Sequence, residues 1–465
     1  MPNSFLKRHL QGPGGILELL PIAFPMFLSS MFDMLMMFVD RLYLSHVGVV
    51  HQAATMSGGV TSWMLTSFFV GVVGYSSALI AQYYGANQKP HCVRMVRQAF
   101  LLALISYPLS LGAHWLLLKA NVFSLHSETE IALETKYYWY MGFGSLLSLL
   151  RFTFASFFTG IGKTRVILLA NTVALAVNVV ANWVLIFGHW GCPALELDGA
   201  AMGTLLASLS MVSVLAFQFF RRKREPQFQE ARHPFLDGEK FRKLLRYGLP
   251  QGVENFLCTF CFVFIVSSFH SYGDDVATAT TIVFNWDGFS FHPLLGIQVG
   301  VTTLVAQALG KNDPALATRT AHSGFKVAIL YAGCMILLFL TCTHPLVAFF
   351  TPESTGLDYS QVRAYAHPML KLAGVYLMTD AIMLISGGVL RGAGDTFWSM
   401  VLHLLSNLFL GGILLLMVHV LHFPPLKAWT FFVFAGMCSI SPIFLRYKLG
   451  GWKNLRIIAP QEKKE

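Results

Sequence analysis

Ionisable side chains lie inside a strongly apolar stretch near the start of the chain, where they could bind protons or cations. The segment PMFLSSMFDMLMMFVDRLYLS, residues 25–45, contains Asp33, Asp40 and Arg41. The two aspartates are seven residues apart, which places them on one face of a helix. A charged side chain at the centre of a bilayer costs about 2.5–3.5 kcal/mol. If this segment crosses a membrane, each carboxylate is therefore a candidate functional group.

Two asparagines could complete a pocket around these carboxylates. In the segment VNVVANW, Asn178 and Asn182 are four residues apart and share a helix face. Carboxylate and amide oxygens on facing helices predict a polar site for a proton, a sodium ion or a larger cation. Hydrogen bonding between helices is the alternative role for both asparagines.

The second half of the chain has its own candidate groups. Glu254 lies in LPQGVENFL, Asp287 in VFNWDGF and Asp380 in VYLMTDAIM, and Tyr376 comes one helical turn before Asp380. The tyrosine hydroxyl and the Asp380 carboxylate are therefore expected on one face. For Asp287, as for Asp33 in the first half, an ordinary packing role or an ion pair is the alternative. We expect Arg151, in LLRFTFASF, to anchor a helix end or a carboxylate.

The elements that must position these groups are membrane-spanning helices. Hydrophobic residues form 55% of the 465 residues and charged residues 12%, against about 45–50% and about 25% in soluble domains. A spanning helix needs about 20 mainly apolar residues, whereas a membrane barrel has shorter alternating segments. We predict an all-α polytopic membrane protein with twelve transmembrane helices, at residues 18–44, 54–82, 97–118, 135–160, 165–188, 199–220, 247–270, 279–307, 321–350, 365–390, 397–419 and 427–446.

Basic residues predict the orientation of these helices. With the N-terminus inside, most of the 33 lysines and arginines fall on the cytoplasmic side, which is the bias seen in membrane proteins. We therefore expect a multi-pass protein of the plasma membrane, in a bacterium the inner membrane, with both termini cytoplasmic and membrane lipid around it. The formal net charge of +10 is divided among short loops, which argues against a nucleic-acid partner. The first apolar stretch is too long for a cleaved signal peptide, so we expect it to stay as an anchor.

The chain also contains an internal repeat. LIAQYYGANQ, residues 79–88, matches LVAQALGKND, residues 304–313, and TGIGKT, residues 159–164, matches RGAGDT, residues 391–396. Two six-span copies share one orientation and enclose a cavity near the midplane of the membrane, the architecture of a transporter. We predict three parts: an N-lobe with helices 1–6 at residues 1–220, a basic cytoplasmic linker at 221–243, and a C-lobe with helices 7–12 at 244–465.

Six motifs together resemble the multidrug and toxic compound extrusion (MATE) transporters. They are FVDRLYLSHVG, ALIAQYYGANQ, TGIGKTRVILLANTVALAVNVVANWVLIFG, GAAMGTLLA, LPQGVE and LRGAGDT. The likeness runs over essentially the whole chain, in the right order and spacing. It implies a V-shaped arrangement of two pseudo-symmetric six-helix lobes that exports amphipathic organic cations in exchange for H⁺ or Na⁺. We expect a monomer.

The resemblance also implies roles for individual residues. Asp40 matches the aspartate of the family's first helix, and Asn178 and Asn182 match its N-lobe asparagines. Tyr376 and Asp380 match the pair on the tenth helix of the C-lobe.

Three other acidic residues match the family less directly. Glu254 lies one turn before the position of a cation-binding glutamate in one subfamily. Since one turn keeps a side chain on the same face, Na⁺ could bind at Glu254 and Asp380. Asp33 and Asp287 match no residue of the family pattern.

We expect a secondary antiporter that works by alternating access. Its acidic cavity would attract a cation, aided by aromatic walls through cation–π contacts, and H⁺ or Na⁺ bound from outside would release that cation. Beyond the coupling ion, no cofactor is expected. The main alternative is a lipid-linked oligosaccharide or other lipid flippase of the same superfamily, which should carry several basic residues in its cavity. The chain has no HExxH motif, and we expect no enzymatic activity; composition alone does not exclude a channel or a receptor.

Overall fold

The fold consists of long membrane-spanning helices. The computed structural model describes residues 12–120, 128–229, 234–351, 359–455 and 457–458, and within these ranges every regular element is helical. Twelve helices are long and apolar enough to cross a membrane. The predicted fold class, an all-α protein with twelve transmembrane helices, is confirmed.

Most helices are longer than the apolar windows that predict them; the fifth spanning helix ends one residue before its window, at Phe187, and the ninth begins earlier but ends at Thr341. In the described part of the chain the α-helices are α1 (Ile16–Ser45), α2 (Val49–Gly74), α3 (Ser76–Gly85), α4 (Lys89–Lys119), α5 (Glu128–Gly160), α6 (Arg165–Phe187), α7 (Glu196–Lys223), α8 (Gly238–His270), α9 (Asp274–Gly310), α10 (Pro314–Thr341), α11 (Thr343–Ala348), α12 (Ser360–Ala393), α13 (Thr396–Leu415), α14 (Pro425–Ser439) and α15 (Ser441–Leu449). Helices α2 and α3 together form the second span, and α14 and α15 form the last. Where a helix is longer, the extra residues lie at its ends and include polar residues that an apolar window leaves out, such as Lys89 at the start of α4.

The described residues form two compact units. The N-terminal unit contains the described residues within 28–256 and 306–312, with Ile458, and the C-terminal unit contains the described residues within 12–27, 257–305 and 313–457. Helices α1, α8 and α9 therefore each contribute to both units. The predicted division at a basic linker follows the sequence repeat, whereas these units are grouped by contact, so the predicted boundaries stay a prediction.

Aromatic and aliphatic side chains form the core of the C-terminal unit. Phe269 and Trp429 are both fully buried, and their ring centroids are 5.0 Å apart in an edge-to-face arrangement, the geometry that aromatic pairs prefer. The indole of Trp429 donates a hydrogen bond of 3.1 Å to the carbonyl of Met369. This contact fixes α12 against α14, and α12 carries two of the candidate functional residues.

The repeated motifs contact each other within the N-terminal unit. A Cβ atom at Gly85 would overlap the carbonyl oxygen of Gln307, and a Cβ atom at Gly310 would overlap that of Gln82. The side-chain amide of Gln307 also donates a hydrogen bond of 2.8 Å to the carbonyl of Gly160. Glycine is needed at both positions because the helix backbones approach closely, which gives a physical reason for the repeated glycine and glutamine.

A buried ion pair joins two helix ends in the C-terminal unit. The guanidinium of Arg446 donates hydrogen bonds to both carboxylate oxygens of Asp395, at 2.8 Å and 3.3 Å. Asp395 is 5% exposed, and Arg446 also lies over the ring of Trp398. Bidentate pairs of this kind are among the stronger hydrogen-bonded contacts.

Replacing Arg446 by methionine is expected to lower stability by about 1–3 kcal/mol, because it leaves a buried carboxylate without its donors. The measurement is the melting temperature of the purified protein in detergent. The double variant Asp395→Asn/Arg446→Met removes the charge as well as its partner, and should recover most of the loss. A single variant as stable as wild type would show that the pair does not hold these helix ends.

Candidate cation site

The first candidate site lies between α1 and α6, which run in the same direction. The side-chain amide of Asn171 donates a 2.9 Å hydrogen bond to the carbonyl of Ser29, and Asn182 donates to the carboxylate of Asp40. The two contacts are eleven residues apart on both helices, so the helices stay in register over three turns. Parallel packing follows from the chain order, since α1 is the first span and α6 the fifth.

Three side chains donate hydrogen bonds to the carboxylate of Asp40. Asn178 donates to Oδ1 at 3.0 Å, Asn182 donates to the same oxygen, and the hydroxyl of Thr204 donates to Oδ2 at 3.1 Å. An ionised carboxylate only accepts hydrogen bonds, so this donor set matches its charged form. The structure thus brings together Asp40, Asn178 and Asn182, the three residues that the sequence groups in the first half.

Small residues on α7 allow α6 to approach and form this site. In the segment GAAMG, a Cβ atom at Gly199 would come within 2.6 Å of the carbonyl of Leu185, and a Cβ atom at Gly203 would overlap the carboxamide of Asn182. This GxxxG spacing is typical of closely packed membrane helices. Because Thr204 follows Gly203 directly, the same close approach places its hydroxyl beside Asp40.

Replacing Gly203 by alanine is expected to displace Asn182 from Asp40, since the added methyl group occupies the position of the carboxamide oxygen. We expect transport of a cationic substrate to fall at least tenfold, measured in proteoliposomes. Gly191→Ala is the matched control, because nothing lies within 4 Å of a Cβ atom there; its left-handed φ of 82° predicts a small loss of stability and normal transport. Full activity of Gly203→Ala would mean that Asn182 has no role at Asp40.

The two asparagine carbonyls add free acceptors to this site. Asn178 and Asn182 are both fully buried, and the Oδ1 atom of each has no hydrogen-bond partner. Amide and carboxylate oxygens are ligands that hard cations prefer, but here each amide presents its nitrogen to Asp40. Both amides would have to turn over for the three residues together to hold a cation such as Na⁺, whereas the carboxylate alone fits a proton.

Two residues of this site were not predicted from the sequence. Thr204 lies within the motif GAAMGTLLA, directly after its second glycine. That position could have identified it as a residue of the site. Tyr137, on α5, is buried and packs against Ala201; its hydroxyl lies near Thr204 and interacts electrostatically with Asp40. Nothing in the local sequence of α5 indicates this contact, which depends on how three helices pack.

A second cluster of polar side chains lies in the C-terminal unit. The hydroxyl of Tyr376 on α12 lies near the carboxylate of Asp287 on α9 and interacts with it electrostatically. Asp380, one turn after Tyr376, interacts electrostatically with both residues. The Oδ1 atom of Asp287 is buried and has no hydrogen-bond partner. Asp287, which matches no residue of the family pattern, therefore joins the predicted pair Tyr376 and Asp380.

Asp33 has a basic partner. Its Oδ2 atom accepts a hydrogen bond of 2.5 Å from Arg151 on α5, which agrees with the expectation that this arginine anchors a carboxylate. The two side chains are 33% and 26% exposed, respectively. Asp33 lies two turns before Asp40 on α1. Helix α1 therefore carries one carboxylate, Asp40, that accepts hydrogen bonds from neutral side chains, and another, Asp33, that pairs with a cationic side chain.

Glu254 lies in α8 and is 2% exposed. The part of α8 that contains it belongs to the N-terminal unit, whereas Tyr376 and Asp380 belong to the C-terminal unit. The suggestion that Glu254 and Asp380 hold Na⁺ stays a prediction. In the ranges that the structure describes, no group of three or more histidines, cysteines, aspartates and glutamates could hold a metal ion.

Known proteins resemble this chain over most of its length. Multidrug resistance protein PmpM of Pseudomonas aeruginosa is 26% identical over 411 residues, which cover 87% of this chain and 84% of that protein. Multidrug resistance protein MdtK of Edwardsiella ictaluri is 24% identical over 393 residues, which cover 82% of each. These relatives are named as resistance proteins, not as enzymes.

A solved structure shows the same fold. It is described as the outward-facing conformation of a multidrug resistance MATE family transporter of the MOP superfamily, and it superimposes with a TM-score of 0.83 at 17% identity, covering 95% of this chain and 97% of that one. The MatE family model matches residues 25–184 and 250–417, well over half of the chain and both copies of the repeat. The chain therefore belongs to the MatE family and is a multi-pass membrane transporter of the multidrug and toxic compound extrusion (MATE) type.

Proposed function

We propose that the protein is a secondary antiporter that exports organic cations in exchange for H⁺ or Na⁺. The observation that carries this proposal is the Asp40 site: a carboxylate within a membrane-spanning helix, held by Asn178, Asn182 and Thr204. Such a group is costly in a membrane, and its donors keep it ready to accept a positive charge. The names of the multidrug resistance relatives support a small-molecule cargo.

Exchange requires that the organic cation and the coupling ion compete. At 4 Å, opposite charges attract by up to about 4 kcal/mol at an effective dielectric constant of 20. Protonation of Asp40, or occupation by Na⁺, removes that attraction, which corresponds to a loss of about a thousandfold in affinity. This difference is large enough for one ion to displace one cation.

The cluster of Asp287, Tyr376 and Asp380 provides a second titratable site. Two carboxylates within electrostatic reach repel each other when both are ionised, so a proton or a cation on one of them stabilises the pair. The hydroxyl of Tyr376 lies near Asp287 and is a donor that can stabilise its charged form. We propose that this pair also exchanges protons or cations during the transport cycle.

Transport in one direction follows if each state of the protein favours a different ligand. A ligand shifts a conformational equilibrium only by its difference in affinity for the two states. In our proposal the organic cation binds the carboxylates from the cytoplasmic side, and H⁺ or Na⁺ displaces it on the other side. The bias of basic residues supports cytoplasmic termini, and the bacterial relatives support the inner membrane as its location.

The test is efflux of a fluorescent organic cation from proteoliposomes that contain the purified protein. An inward H⁺ gradient and an inward Na⁺ gradient are imposed separately, each with an ionophore that collapses it as the control. We expect efflux that one gradient drives and the matching ionophore abolishes. Equal efflux with and without either gradient would contradict antiport. Movement of a fluorescent lipid-linked oligosaccharide in place of the cation would instead support a flippase.

A further inference from the structure

The ion pair of Asp33 and Arg151 joins two membrane-spanning helices, yet both side chains are partly exposed. The guanidinium of Arg151 is 2.5 Å from Oδ2 of Asp33, and the two side chains are 26% and 33% exposed, respectively. The pair is thus only partly enclosed by protein, unlike the fully buried Asn178 and Asn182. A helix-locking contact would more usually be enclosed, because burial prevents water from weakening it.

The arginine uses only part of the carboxylate's capacity. Arg151 donates to one oxygen of Asp33, and the other oxygen, Oδ1, is buried without a hydrogen-bond partner. The guanidinium also lies 5.7 Å from the ring centroid of its neighbour Phe152. A carboxylate with a spare oxygen and an aromatic ring nearby are the features that bind an organic cation. At this site the cation is the guanidinium group of Arg151.

The helical register relates this carboxylate to Asp40. Asp33 and Asp40 are seven residues apart on α1, so they share a face and lie about 10 Å apart along the helix axis at 1.5 Å per residue. Asp40 is held by neutral donors and has no cationic partner among its described hydrogen bonds. Arg41, the next residue, interacts electrostatically with Asp40 but forms no ion pair with it among the described contacts. With Arg151 in place, Asp40 is therefore the carboxylate on this face of α1 that has no ion-pair partner.

We propose that Arg151 is a built-in cation that occupies a second cation-binding carboxylate, Asp33, and thereby restricts the N-terminal unit to cargo with one positive charge. Arg151 is then a specificity-determining residue. Removing its side chain leaves a space of guanidinium size beside Asp33 and exposes two carboxylates about 10 Å apart. The variant should accept dications whose charges have that spacing. This inference rests on the proposed function, since it assumes that Asp40 binds cargo.

The experiment compares two probes that differ in one charge. Heptyltrimethylammonium has one quaternary nitrogen, and heptane-1,7-bis(trimethylammonium) has two, about 10 Å apart when extended, which matches the two-turn rise on α1. Their affinities for the purified protein are measured at pH 8 by displacement of a fluorescent cation. We expect similar affinities for wild type and a preference for the dication of at least tenfold for Arg151→Ala.

The double variant Asp33→Asn/Arg151→Ala is the matched control. It keeps the vacated space and the shape of the carboxylate but removes its charge, so the dication preference should return to the wild-type value. Added methylguanidinium should weaken dication binding to Arg151→Ala and leave wild type unaffected. If Arg151→Ala is not monodisperse, Arg151→Gln takes its place in the same comparison.

The outcomes separate this inference from the proposed function. Binding of the monocation by wild type without any dication preference in the Arg151 variants would overturn the role of Arg151 while supporting the proposed function. The same would follow if the double variant kept the preference, since the charge of Asp33 would then be irrelevant. Binding of neither probe by wild type would overturn both proposals.

Discussion

Replacing Asp40 by asparagine is expected to abolish gradient-driven efflux, with at least a hundredfold loss of the initial rate. The substitution keeps the size of the side chain and removes the negative charge of the site. The new amide oxygen can still accept from Asn178 and Asn182, and the new amide nitrogen can donate to the hydroxyl of Thr204, so the hydrogen bonds are kept while the charge is lost. Neither the attraction for a cation nor the exchange of a proton then remains. The measurement is efflux of a fluorescent cation from proteoliposomes under the gradient that drives wild type.

Asp275→Asn is the matched control for this substitution. Asp275 lies in the first turn of α9 and is exposed, so the same chemical change there should leave transport intact. Thr204→Val tests the hydrogen bond to Oδ2 separately and should reduce the rate by a smaller factor, about tenfold, as expected for the loss of one hydrogen bond to a charged group. Coupled efflux by Asp40→Asn at the rate of the Asp275→Asn control would exclude Asp40 from the mechanism.

The second large effect is expected at Asp287 and Asp380. If these carboxylates act as one titrating pair, each single substitution by asparagine should reduce coupled efflux at least tenfold, and the double variant should be no worse than the more impaired single one. Groups that act as a unit show such non-additivity. Tyr376→Phe removes only the hydroxyl that lies near Asp287, so a loss of a few-fold is expected, equivalent to about 1 kcal/mol.

The efflux rates of the two single variants and of the double variant, compared with one another, decide this prediction. Each variant is assayed by the same efflux measurement, with the Asp275→Asn protein as the control for folding and reconstitution. If the losses in Asp287→Asn and Asp380→Asn multiply in the double variant, the two carboxylates act independently. Full activity of the Asp287→Asn protein would show that Asp287 has a packing role and takes no part in transport.

Composition and spacing were enough to predict the helices and three of the five residues of the first site. Spanning helices require long apolar segments, and these are visible in any window of the sequence. Asn178 and Asn182 were predicted together because a four-residue spacing fixes a common face. Their contact with Asp40 needed the parallel packing of α1 and α6, which the order of the spans implies once six-helix repeats are recognised.

Other contacts could not be predicted because they join residues that share no local pattern. Tyr137 approaches Asp40 only through the packing of α5 against α7. Asp287 is 93 positions from Asp380, and its place beside Tyr376 depends on the rotation of α9 about its axis. For Asp33 the sequence left a functional role and an ion pair open, and the structure shows the ion pair. Periodicity shows which residues share a face of one helix, but it does not show which other helix packs against that face.

Competition between cargo and coupling ion at Asp40 is the central claim, and proton release tests it most directly. An organic cation is added to the purified protein in weakly buffered detergent solution, and the pH change is recorded for wild type and Asp40→Asn; a parallel experiment follows displacement of radioactive Na⁺. We predict that wild type releases protons or Na⁺ on binding the cation and that Asp40→Asn releases fewer. Saturable binding of the cation to wild type without release of either ion would contradict the account.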